Sequence, residues 1–178
     1  MVMRSAAVFV ITLGLSLICP PAPAGPSTET FRGTCDLTLT VRHQPSLTTA
    51  LASGQVWARG SGTCTGGLTR ASGRVVLLDE APVDIRATGA GELSCGGGVA
   101  QGTGVLSFGG EKIGFNFEEI RGPGVATLYY TGSAAGSALG EAYISPDEDP
   151  AETAAACTGT GLRRVEVQEQ LVSNGISG

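Results

Sequence analysis

The chain has 178 residues, 28 of them glycine, with 42% hydrophobic residues and a formal charge of −5. That length suffices for one domain with a core of its own. Lysine occurs once, at Lys112, and no run of five basic residues exists, so nucleic acid is not an expected partner.

Residues 1–24 read as a secretory signal. Arg4 supplies the positive start, Ala6 to Ile18 an apolar stretch, and Ala22-Pro23-Ala24 a small-x-small cleavage site. The stretch falls short of the roughly 20 apolar residues a membrane-spanning helix needs, so no span is expected after cleavage. Arg4 is the one charged residue lost, which takes the charge from −5 to −6. Cys19 follows Ile18 and precedes Pro20, a poor setting for lipid attachment, and is expected to leave with the signal.

Residues 25–32 read as a flexible lead-in, 33–172 as a single all-β domain and 173–178 as a tail. Cys35, Leu37, Leu39 and Val41 alternate with Asp36, Thr38, Thr40 and Arg42, the period of a strand with one dry face. His43 to Gly54 is expected to be a connection. Val56, Ala58, Gly60, Gly62 and Cys64 form the apolar register of a second strand, with Trp57 and Arg59 on the other side. Gly66 to Arg74 reads as a loop, and Asp79-Glu80-Ala81-Pro82 as a turn.

The clearest alternation lies between Val83 and Cys95. Val83, Ile85, Ala87, Gly89, Gly91, Leu93 and Cys95 share one register against Asp84, Arg86, Thr88, Ala90, Glu92 and Ser94, polar except for Ala90. Gly89 and Gly91 are expected to mark a bulge or a sharp bend. Gly96-Gly97-Gly98 makes a turn, and Val99 to Phe108 returns. Ile113, Phe115 and Phe117 belong to a fifth strand. Val125 to Thr131 and Ala138 to Ile144 give the sixth and seventh. Pro146 to Glu152 is expected to be an acidic loop, and Ala156 to about Gln170 the eighth strand. Eight sequential strands with short turns predict an antiparallel up-and-down barrel, with a two-sheet β-sandwich as the alternative.

Four cysteines remain in an exported chain, which implies two disulfides and three possible connectivities. Their separations of 29, 31 and 62 residues contain no close C-x-x-C pair, so no metal is expected. In an up-and-down meander Cys35 and Cys64 fall at one end, and Cys95 and Cys157 at the other. A disulfide spans only about 4.4–6.8 Å between Cα atoms, so Cys35–Cys64 and Cys95–Cys157 are expected. The rival, Cys64–Cys95 with Cys35–Cys157, also joins adjacent strands if Val75 to Leu78 extends strand two.

Candidate chemistry is sparse. His43 lies beside Gln44-Pro45, with no recognisable serine and carboxylate partners, and an exposed loop histidine is the expectation. Asp147-Glu148-Asp149 with Glu152 offers hard oxygens to a cation but lacks an EF-hand pattern, so a solvated loop is preferred. Glu118 and Glu119 face opposite sides of a strand, and neither reads as catalytic. The repeated G-x-G triplets never complete a dinucleotide fingerprint; they read as places where strands coil or neighbouring side chains pass over. No cofactor is expected. Trp57 stands on the polar register, where an exposed aromatic anchors a sugar or a peptide, or is an ordinary surface residue.

Gly62-Thr63-Cys64-Thr65-Gly66, Leu93-Ser94-Cys95 with its glycines, and Cys157-Thr158-Gly159 carry a resemblance. In these the chain resembles small secreted bacterial proteins with four cysteines and a Gly-rich β-barrel, many of unassigned activity. The strand count is similar to lipocalin-type barrels in architecture only, since Gly54-Gln55-Val56-Trp57 is not their first-strand G-x-W. That likeness implies a ligand inside. The leading expectation is a secreted, non-enzymatic barrel that binds a small apolar ligand, through Ile85, Leu93, Ile113, Phe115 and Phe117, or a cell-surface partner. A secreted hydrolase or isomerase built on His43, and an inert envelope protein, are the alternatives.

Overall fold

The computed structural model describes residues 28–178, so the expected signal over 1–24, with Cys19, lies outside the described residues. The strands are β1 (Thr30–Leu47), β2 (Ala52–Thr69), β3 (Val75–Ser94), β4 (Gly97–Phe108), β5 (Glu111–Gly122), β6 (Val125–Gly132) and β7 (Ser137–Ile144). A helix, α1 (Pro150–Thr158), precedes the last strand, β8 (Leu162–Ser177). Each strand pairs antiparallel with the next, and β8 returns to β1, so the sheet closes as an up-and-down barrel rather than a sandwich. Closure leaves no unpaired edge.

The period-2 registers decide what faces inward. Leu37, Leu39 and Val41 on β1, Val83 and Ile85 on β3, and Ile113, Phe115 and Phe117 on β5 are buried together. Phe31, Leu68, Leu106, Phe108 and Ile176 fill the end where β1 begins, with the Phe31 and Phe108 rings 5.1 Å apart. A ring of inward residues this bulky needs room. An added Cβ on Gly104 would stand 2.3 Å from the Phe115 ring, and one on Gly102 2.6 Å from the Phe117 ring. Those glycines let neighbouring aromatic rings lie across the strand, as the G-x-G pattern implied.

The disulfides join Cys35 to Cys64 and Cys95 to Cys157. The first links directly opposed residues of β1 and β2. The second ties α1 to the β3–β4 turn at the opposite end of the barrel.

Several boundaries differ from the sequence expectation. β1 starts at Thr30, inside the expected lead-in, and continues past His43 to Leu47. β1 and β2 therefore extend into the stretch read as a connection, leaving a turn of only residues 48–51. β2 likewise extends to Thr69, into the expected loop after Gly66. Asp79-Glu80 is no turn. Cys64 pairs with Ala81 and Gly66 with Leu78, so Asp79 and Glu80 bulge out while β3 keeps its direction. Glu80 takes φ 47°, and its amide donates to Thr65 Oγ1 at 3.3 Å. Of the bulge or sharp bend expected at Gly89 and Gly91, the bulge is absent, since pairing on both sides runs through them unbroken.

The stretch from Pro150 is helix rather than acidic loop and early strand. Asp149 caps it, accepting from the amides of Ala151 and Glu152; Pro150 suits its first turn, and Ala154 to Ala156 favour helix. Cys157 thus lies on α1 and not on the eighth strand, which starts at Leu162 and runs to Ser177. Residues 173–177, expected as tail, pair with β1 and β7.

Candidate functional site

The barrel holds a cavity of about 120 Å³ at the end carrying α1. Val41, Val56, Ile85, Phe117, Leu128 and Val165 give it an apolar wall, and Thr153 and Cys157 of α1 lie over it. Its lining reaches Gly124, Val125 and Tyr143, which are exposed, so the cavity meets the surface beside the β5–β6 turn. Small residues create the space. Ala126 and Ala142 stand inward on β6 and β7, where larger side chains would close it.

Of the five residues expected to face a ligand, Ile85 and Phe117 line this cavity. Leu93, Ile113 and Phe115 are buried in the surrounding core and do not line it. The Phe115 ring instead meets Tyr130 edge-on at 5.1 Å.

The apolar wall is broken by a group of buried polar side chains. Glu119 and Arg121 continue the inward register of Phe115 and Phe117 on β5, and Glu169 shares the register of Val165 and Leu171 on β8. All three line the cavity with Tyr130. The Arg121 guanidinium pairs with the Glu119 carboxylate and donates from Nη1 to His43 Nε2 at 3.0 Å. Tyr130 donates its hydroxyl to Glu169 Oε1. The space for that pair comes from Gly140, whose added Cβ would stand 2.5 Å from the Glu169 carboxylate.

Burial governs the electrostatics. The Glu169 carboxyl is pushed up to about 7, first by burial and then by the Glu119 charge, against the pull of the Tyr130 hydrogen bond. Burial, with Glu169 beside it, also holds the Tyr130 hydroxyl well above its ordinary value. His43 is driven down to about 3, by burial and then by the Arg121 charge. An arginine only donates, so His43 Nε2 accepts and the proton sits on Nδ1. Nδ1 is buried without a protein partner.

His43 is therefore not the exposed loop histidine expected; it is 2% exposed and points into the barrel from β1. The geometry gives it a guanidinium where a general base needs a free lone pair and an orienting carboxylate. Glu118 and Glu119 face opposite sides of β5 as expected; Glu118 is exposed and Glu119 is buried beside His43. Tyr129 and Tyr130, adjacent on β6, face opposite sides, with Tyr129 51% exposed and Tyr130 buried.

The acidic segment has structural duties. Asp149 caps α1, and Glu148 accepts from the backbone amide of Glu166 at 2.7 Å. Among the described residues no group of three histidine, cysteine or acidic side chains is placed to share a cation, and no helix is long and apolar enough to cross a membrane.

The molecule is a small closed eight-stranded barrel with two disulfides, and no family model, curated protein or solved structure matches it.

Proposed function

We propose that this is an exported, non-enzymatic barrel that holds one small ligand with an apolar body and a single uncharged polar group. The observation that carries the reading is the cavity of about 120 Å³ with its apolar wall, open beside the β5–β6 turn and lined also by Glu169 and Arg121. An apolar cavity of about 150 Å³ accommodates benzene, which sets the ligand at one ring or a short branched chain. Eight-stranded barrels serve either as filled cores or as holders of one such molecule, and the alanines at 126 and 142 favour the second. Below pH about 7 the protonated Glu169 is a donor for the ligand's polar group. Export is supported by the residue 1–24 pattern and by the two disulfides, which persist in oxidising compartments.

The test is a titration with phenol and with 2-methylpropan-1-ol, one apolar ring and one short branched chain, each with a single hydroxyl, followed by methyl resonances. Saturable shifts at Ile85, Leu128, Ile144 and Val165 are expected, and Ala142→Phe or Ala126→Leu should remove them by filling the space. Absence of shifts with both probes at millimolar concentration, or shifts that persist in both variants, would reject the reading.

A further inference from the structure

The barrel exterior carries a second feature, independent of the cavity. Arg42, Arg59, Arg86, Arg163 and Arg164 are all exposed, and all line one groove on the outer face formed by β8, β1, β2, β3 and β4. Trp57, the chain's one tryptophan, lies among them and is 37% exposed. Strand register brings them together. Arg42 is opposite Trp57 on one side and Arg164 on the other, and Arg59 is opposite Arg86. The chain has ten arginines, so half of them gather on one face of a protein whose formal charge is −5.

The arginines have no ionic partner there. The ion pairs among the described residues are Arg70–Glu111 and Arg121–Glu119, and neither belongs to this face. Asp84 and Glu166 border it, each two residues along its strand from Arg86 and Arg164, without pairing with them. Between the charges Thr40, Thr88 and Thr103 offer hydroxyls, and Gln44 and Val105 join the lining with small residues. Like charges on directly opposed strand positions repel. A cluster of five is therefore a cost to the fold that an anionic ligand relieves.

We infer that this face docks an acidic polysaccharide, a chain of sugar rings bearing carboxylate or sulfate groups. A guanidinium fork matches both anions bidentately. Trp57 supplies a flat apolar surface for the face of a sugar ring, and the threonines hydrogen-bond its hydroxyls. The five strands span about 19 Å at a spacing of about 4.8 Å, so the ligand is an extended chain crossing the strands rather than one small anion. The choice of polymer rests on the export proposed above, which puts the face among extracellular polysaccharides, and a single tryptophan level with its arginines gives a lipid bilayer little to insert. The proposal stands apart from ligand binding in the barrel, because the groove is on the other side of the sheet.

The experiment is calorimetric titration of the intact, oxidised protein with short oligomers of polygalacturonate, alginate, hyaluronate and heparin. Controls are a neutral cello-oligosaccharide, single-stranded oligothymidylate and phosphatidylglycerol vesicles. Binding to at least one acidic oligosaccharide and none to the neutral one is expected, weakening as salt shortens the screening length. Arg59→Gln with Arg86→Gln should weaken it about tenfold. Trp57→Ala should weaken it too, and Trp57→Phe should restore part of the loss. No variant should melt below the wild type, since all three side chains are outside the core, and removing the opposed Arg59 and Arg86 charges should raise the melting temperature of the double variant. Failure of all four acidic sugars, binding indifferent to the arginine and Trp57 substitutions, or preference for oligothymidylate or vesicles would overturn the proposal.

Discussion

Replacing Glu169 with glutamine should make the barrel more stable at alkaline pH and leave it nearly unchanged in mild acid. Glu169 lies inside the barrel, bonded to Tyr130, with Glu119 as a nearby like charge and Arg121 occupied by Glu119. Burial favours its protonated form in the fold, raising the carboxyl from an ordinary 4.5 to about 7. The associated stability is complete below 4.5 and is lost as pH rises through about 7. At about 1.36 kcal/mol per pH unit between those values, the ionised carboxylate costs roughly 3 kcal/mol by pH about 8. Glutamine keeps an acceptor for the Tyr130 hydroxyl and carries no charge. Urea unfolding of both proteins at intervals from about pH 4.5 to 8.5 measures the difference directly. The two should coincide near the acid end and diverge by roughly 3 kcal/mol near the alkaline end. Parallel curves differing by less than about 1 kcal/mol throughout would mean that Glu169 ionises freely, and that the cavity is wetter than its walls imply.

Acid stability should depend on His43. Its folded value of about 3 lies below the ordinary 6.5, so stability present above 6.5 is lost as pH falls toward about 3. His43→Gln should remove one proton's worth of that slope, about 1.4 kcal/mol per pH unit between pH about 5.5 and 4, read from urea midpoints. Gly104→Ala should cost about 1–3 kcal/mol, because the new methyl stands 2.3 Å from the Phe115 ring and 2.6 Å from the Arg86 carbonyl oxygen; chemical unfolding checks it. Replacing Cys95 and Cys157 together by alanine opens a 62-residue loop and should cost about 4 kcal/mol in the chain-entropy account. The same variant should speed ligand exchange, since α1 loses its covalent tie over the cavity.

The barrel was legible because alternation is a local property. Val83 to Leu93 and Ile113 to Phe117 state their inward face within a few residues, and the cysteines fall at matching strand ends whichever element carries Cys157. The polar cluster was less visible, yet part of its signal is present. Counting on in twos from Ile113 puts Glu119 and Arg121 inside with Phe117, and counting from Val165 puts Glu169 inside. Such residues read as surface charge because burying them singly is costly; only closure of the barrel brings Arg121 to Glu119 and His43. The helix was masked by the strand grammar around it, although Asp149-Pro150 and Glu152 before three alanines is a helix start. The arginine face had no sequence signal of the kind a basic run gives. Arg42, Arg59, Arg86 and Arg164 are separated by whole strands and become neighbours only through register.

The pairing of Thr30 with Ser177 sets the first and last strand residues side by side, at the end of the barrel opposite the cavity. Whatever chain precedes or follows the barrel therefore emerges from its sealed base. A tether, tag or fused domain at either terminus would hold the molecule like a cup by its foot, with the rim and its helical cover turned toward the surroundings.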